Sequence, residues 1–214
     1  MECGQPPGRD AQKKSLIAAE QDRPDVAARR RSWRSAQGYI DPARLVFIDE
    51  SGVNTKMTRL YGWGPRAKRV RSKTPFGHWK TMTFVAGLRL TGMVAPWVLD
   101  GAMDGDAFPT YIDKVLAPTL AQDDIVVMDN LPAHKVAGIV DLIHERKAQL
   151  FYLPPYSPDM NPIENAFSKL KTLLRTAEER SINSLINRIG KITDLISPQE
   201  CQGFFRNAGY QQSS

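Results

Sequence analysis

Two segments decide how this chain folds: IVVMDNLPAHK at 125–135 and LFYLPPYSPDMNPIENAFSKLKTLLR at 150–175. The first opens on four apolar residues and turns polar at Asp129. A short apolar run without alternation is the pattern of a strand covered on both faces. Residues 150–153 repeat it. Between the two, residues 136–147 set Val136, Ile139, Val140 and Ile143 at helical spacing. Beyond the second strand a proline-rich loop leads to Asn161-Pro162-Ile163-Glu164. That tetrapeptide fits a helix start with Asn as N-cap, Pro in first position and Glu closing a capping box. Ile163, Ala166, Phe167, Leu170, Leu173 and Leu174 form the apolar stripe of the helix that follows.

Upstream, residues 44–49 (RLVFID) give a similar strand ending at Asp49, broken by Glu50, Ser51 and Gly52. Residues 81–90 and 93–99 read as two strands turning at Thr91-Gly92. Residues 104–116 carry helical spacing and stop at Pro118. Short right-handed crossovers place the 44–49, 125–128 and 150–153 strands parallel and adjacent, with the hairpin extending the sheet antiparallel. The prediction is an α/β fold on the ribonuclease H-like plan, a mixed sheet of antiparallel hairpin plus parallel strands with helices on both faces. Function in such open sheets sits at the carboxyl ends of the parallel strands, where Asp49 and Asp129 fall.

At 214 residues the chain can bury a sizeable core. It has no apolar run of membrane-spanning length and no secretory h-region. Cys3 and Cys201 lack zinc-ligand spacing, which suits free thiols in a reducing cytoplasm. Net charge is +6 and the cations cluster. Residues 1–40 read as a basic, partly flexible arm, with Arg29, Arg30, Arg31 and Arg34 on a short helix after Pro24. Residues 41–214 form the main domain. Within it, residues 55–80 are a basic insertion that interleaves Tyr61, Trp63, Phe76 and Trp79 with Arg66, Lys68, Arg69, Arg71, Lys73 and Lys80. Two arrangements suit that insertion: a hairpin with its rings in the core, or a flap facing DNA, cations on phosphates and a ring on a base.

Taken singly, Asp49 and Asp129 are polar residues where buried strands emerge, and Glu164 caps a helix. Taken together they make a different pattern. Neighbouring strands lie ~4.8 Å apart, so two strand-end aspartates can share one cation. A glutamate on the first turn of an adjacent helix can hold a second cation. Oxygen-only ligands point to two Mg²⁺ or Mn²⁺ ions rather than zinc. The matching reaction is in-line displacement at phosphorus. Lys171 and Arg175 lie within about 20° of Glu164 on the helix projection, a path for a phosphate backbone. His134 and Lys135, just past Asp129, are further candidates for substrate contact.

The blocks VFIDESGVNTKMTRLYGWGPRAKR (46–69), GHWKTMTFVAGL (77–88), IVVMDNLPAHK (125–135) and YLPPYSPDMNPIENAFSKLK (152–171) resemble DDE transposases of the mariner-like superfamily, in its bacterial insertion-sequence branch. The resemblance spans roughly residues 13–210, and 34 residues separate Asp129 from Glu164, the interval of the glutamate-bearing members. It implies that Asp49, Asp129 and Glu164 are a metal-binding triad. It also implies cutting of double-stranded DNA at insertion-sequence ends and transfer of the freed 3′-hydroxyl into target DNA. A homodimer or larger assembly on DNA would follow, in the bacterial cytoplasm. Members usually carry helix-turn-helix domains ahead of the catalytic domain, and residues 1–48 show no such pattern. The expectation is a catalytic half, paired with an upstream-frame helix-turn-helix polypeptide or derived from a truncated copy. A non-enzymatic DNA-binding remnant that pairs with or inhibits full-length transposase, and a nuclease on the same fold, are the alternatives.

Overall fold

The computed structural model describes residues 18–65, 68–71, 73, 79–103, 105–130 and 138–211. Five strands form one sheet in the order β3-β2-β1-β4-β5. They are β1 Leu45–Asn54, β2 Thr81–Arg89, β3 Gly92–Asp100, β4 Ile125–Met128 and β5 Gln149–Tyr152. β1, β4 and β5 run parallel, and β2 and β3 add the antiparallel half, as the crossover argument requires. No helix among the described residues is long and apolar enough to cross a membrane.

Alternation along β1 divides the core. Val46 and Ile48 face one layer with Val85, Val126 and Met128, covered by Phe108, Tyr111, Ile112, Ile139 and Ile143. Those covering residues come from α2 (Ala107–Tyr111), the π-helical turn Ile112–Leu116 that continues it, and α3 (Ile139–His144). Leu45, Phe47 and Val53 face the opposite layer with Phe84 and Val127, covered by α4 (Ile163–Ala177), α5 (Ile182–Asp194) and α6 (Pro198–Asn207). By the same period of two, Asp49 and Ser51 look toward the α4 layer. Most of these side chains are fully buried.

Several elements differ from the sequence expectation. β1 does not break at residues 50–52 but runs on to Asn54, because every residue from Phe47 to Asn54 pairs with β2. Pro118 does not end its helix outright: a 3-10 turn, Ala117–Thr119, carries the chain through it. Val140, placed by spacing on the buried face of α3, is 41% exposed, and only Ile139 and Ile143 are buried there. α5 was not anticipated. It packs Leu185, Ile189 and Ile192 against α4 and β3 and starts at a Ser181–Ser184 capping box.

After Ser197 the chain forms α6, and the residues that follow it are held in place. Tyr210 is 2% exposed with its ring 5.0 Å from that of Phe47. Its hydroxyl donates to the Met160 carbonyl (3.0 Å) and accepts from the Trp33 indole N–H (2.9 Å). The helix after Pro24 also forms. α1 (Pro24–Gln37) docks through Val26, Trp33 and the buried guanidinium of Arg30.

Candidate active site

In the register between β1 and β4, Leu45 faces Ile125, Val46 faces Val126 and Phe47 faces Val127. Two residues past the last pair, each strand presents an aspartate: Asp49 and Asp129. β1 continues beyond that level against β2, whereas β4 ends at Met128. Asp129 therefore lies where the sheet opens. Glu164 comes from the first turn of α4. All three line one cavity of about 460 Å³ with Asn130, Asn161, Leu153 and residues 154–158.

Electrostatics mark this cavity. Burial first, then the Glu164 and Asp129 carboxylates, push Asp49 up to about 7, while the Glu50 N–H on its Oδ1 works the other way. Like charges thus face one another across this cavity. Two buried side-chain atoms among the described residues have no hydrogen-bond partner, Ser51 Oγ and Asn161 Oδ1. Both belong to the surroundings of Asp49: Ser51 shares its face of β1, and Asn161 Nδ2 donates to Asp49 Oδ2 at 2.9 Å.

The capping box expected at the start of α4 does not form. The helix begins at Ile163 with no side-chain cap. The Asn161 side chain turns to Asp49 instead, and the Glu164 carboxylate, exposed, lines the cavity. Loop 154–161 is fixed by α1. Arg30 donates to both Asp159 carboxylate oxygens (2.9 and 2.8 Å), to Ser157 Oγ (2.8 Å) and to the Tyr156 carbonyl (3.3 Å). Gln21 adds a bond to that carbonyl, and Tyr156 itself sits at φ +56, a strained conformation for a non-glycine residue. Asp159, bound to Arg30 and Arg34, does not line the cavity.

Oxygen-rich chemistry suits a hard divalent ion: three carboxylates, plus buried acceptors lacking donors. Among the described residues, no three His, Cys, Asp or Glu side chains already stand close enough to hold an ion. The three acids share one cavity without converging on a single point.

The basic candidates are scattered. Lys68, Arg69, Arg71 and Lys73 are exposed on the insertion between β1 and β2, and Lys80 is tied to Asp100 (3.1 Å). Arg66, His134 and Lys135 lie outside the described residues, as does Phe76. Tyr61 and Trp63 are fully exposed, so these rings do not enter the core, and Trp79 lies under the Lys56 ammonium at 3.8 Å. Lys171 and Arg175 are half-buried on α4. Arg175 lines a cleft with Arg59, Tyr61 and Thr172, where the insertion meets the helix.

Sequence reasoning missed Asn161 as a partner of Asp49 and Arg30 as the anchor of loop 154–161. Both bonds span more than 110 residues, and neither leaves a local signature.

A mixed five-stranded sheet with acids at the opening between two parallel strands, and a third on a covering helix, defines a ribonuclease H-like nuclease-type domain. The family model for DDE superfamily endonucleases matches residues 44–186, and the chain belongs to that family. No curated protein matches it in sequence. Among solved structures it is similar to the mariner Mos1 paired-end complex with Mg (TM-score 0.75, 14% identity, 97% of this chain and 68% of that one). It is also similar to the Mos1 transposase paired-end complex with left transposon end (TM-score 0.74, 14% identity, 94% and 64%). The catalytic domain of Mos1 mariner transposase alone is covered over its full length (TM-score 0.59, 14% identity, 95% of this chain). The chain spans 64% of the Mos1 chain in the left-end complex.

Proposed function

We propose that this chain is a transposase catalytic domain that cuts DNA at insertion-sequence ends and joins the freed 3′-hydroxyl to target DNA. One observation carries the reading: Asp49, Asp129 and Glu164, distant in sequence, line a single cavity with Asn161, whose buried Oδ1 has no hydrogen-bond partner. Mos1 complexes solved with Mg and with Mn lend support by fold likeness.

Asp49, Asp129 and Glu164 would hold two Mg²⁺ or Mn²⁺ ions. When bound, such ions activate the attacking oxygen and stabilise the leaving one. The chain's own residues place and hold the reactants. β1 and the end of β4 fix two carboxylates at one level of the sheet. The first turn of α4 aims the third, and the Arg30-anchored loop 154–158 forms a wall that narrows access for water. Arg59, Lys171 and Arg175 offer charge to the phosphates flanking the cut, and the insertion 55–80 extends that path. Water and then a DNA 3′-hydroxyl are the nucleophiles, so no side chain forms a covalent intermediate.

The test is metal-dependent nicking of DNA carrying the element's ends, followed by joining of a pre-cut 3′ end to a plasmid. Nicking and joining that both vanish in Asp129→Asn support the reading. Nicking without joining identifies a nuclease. Binding without either identifies a DNA-binding remnant.

A further inference from the structure

We propose that Asn161 is the positioning residue of the ion site: its amide fixes the Asp49 carboxylate and offers an oxygen to the water shell of the bound ion. The inference rests on the reading that Asp49, Asp129 and Glu164 hold the ions.

The amide is pinned from its backbone outward. The Asn161 N–H donates to the Pro158 carbonyl (3.1 Å), and its own carbonyl accepts from the Glu164 N–H (3.3 Å). One residue earlier, the Met160 carbonyl is held by the Tyr210 hydroxyl. Asn161 is 3% exposed, which leaves its side chain little freedom to swing. From this fixed base, Nδ2 donates to Asp49 Oδ2 at 2.9 Å, while the Glu50 N–H donates to Oδ1 at 2.7 Å. Both carboxylate oxygens are therefore oriented, each keeping a further lone pair for a cation.

The chemistry of the donor matters as much as its position. Elsewhere in this protein, arginines hold the carboxylates that serve structure: Arg30 holds Asp159 and Arg89 holds Asp124. A guanidinium at Asp49 would neutralise the charge that has to attract a metal ion. A neutral amide orients the same carboxylate and leaves its charge intact.

The other half of the amide carries the second observation. Asn161 Oδ1 is buried and has no partner, an arrangement that costs roughly 1–3 kcal/mol if left so. Asn161 also lines the cavity with the three acids. The donor that completes Oδ1 is a water brought with the ion.

Mn²⁺ binding to the full chain, followed by electron paramagnetic resonance, tests this without recourse to activity. Asn161→Leu keeps the branched heavy-atom skeleton and removes the amide's polar atoms, and Asn161→Ala removes both. Each is expected to weaken Mn²⁺ binding about 10-fold or more, the usual effect of losing a residue that orients a ligand. Melting in EDTA should stay within a few degrees of the parent, because an orphaned acceptor leaves with the lost bond. Asn161→Ser, which retains a donor and an acceptor, should recover part of the affinity. If the leucine variant fails to melt cooperatively, the alanine variant takes its place. Parental Mn²⁺ affinity in the leucine and alanine variants, together with loss in Asp129→Asn, overturns the role of Asn161 alone. Unchanged binding in Asp129→Asn removes the ion site itself, and this inference with it.

Discussion

Arg30 and Asp159 join α1 to the loop ahead of Glu164 through two parallel hydrogen bonds of 2.9 and 2.8 Å, with the guanidinium 9% exposed. The pair lies outside the cavity yet determines the path of one of its walls. Arg30→Ala should destabilise the protein by about 2 kcal/mol, the scale of a hydrogen bond to a charged group. It should also slow nicking more than Arg34→Ala, whose contact with Asp159 is longer and more exposed (3.4 Å). Urea unfolding and nicking rates on the two variants check both halves.

Asp49→Asn separates stability from chemistry. In ion-free buffer it removes a carboxylate that burial and two like charges disfavour, so its melting temperature should rise by a few degrees. Nicking should fall at least 100-fold, as it should in Asp129→Asn and Glu164→Gln. Thermal melts with and without Mn²⁺ provide the check: Mn²⁺ should raise the parent's melting temperature more than the variant's.

Arg89 and Asp124 form a buried pair far from the cavity, with side chains 15% and 7% exposed. Burial pushes the Asp124 carboxyl upward, but the bonds from Arg89 and the Ala121 N–H outweigh it and hold the group below the usual carboxylate range. A depressed folded value stabilises above the unfolded one, near pH 4, and that stability is lost as pH falls through the folded value. Arg89→Leu leaves the carboxylate buried and unpaired and should cost about 3 kcal/mol at pH 7. The cost should shrink below pH 4, where protonation relieves it. Denaturant unfolding across pH 3–7 measures the difference.

The exposed cations Lys68, Arg69, Arg71 and Lys73 should act as phosphate contacts without sequence preference. Replacing all four with serine should lower DNA affinity and reduce the slope of log affinity against log salt by up to about 3–4. Replacing Lys171 and Arg175 should reduce it by about 2. Lys80→Ser should change it less, since Lys80 is paired with Asp100. Fluorescence anisotropy over a salt series gives all three slopes.

The sheet was legible because its information is local. IVVM and LVFI are too short and too uniformly apolar for surface strands, and the helices between them leave only a right-handed parallel connection. Asp49 and Asp129 were visible for the same reason, each the first polar residue after such a run. What escaped depends on partners far along the chain. β1 passes Gly52 because β2 pairs with it, and Tyr210 is buried because Phe47 and Trp33 wait for it. Asn161 reads as a helix cap because the motif is right for one. The competing acceptor, Asp49, lies 112 residues upstream. α5 had the spacing of an amphipathic helix at Leu185, Ile189 and Ile192, with Gly190 interrupting an otherwise readable pattern.

The hydroxyl of Tyr210 ties Trp33 of α1 to Met160, the residue before Asn161. During synthesis every acid of the cavity leaves the ribosome before this tyrosine does. A nascent chain short of residue 210 holds the carboxylates but not the bond that steadies the backbone between them. The loop ahead of Glu164 would then take its final path only once residue 210 has docked between α1 and Met160.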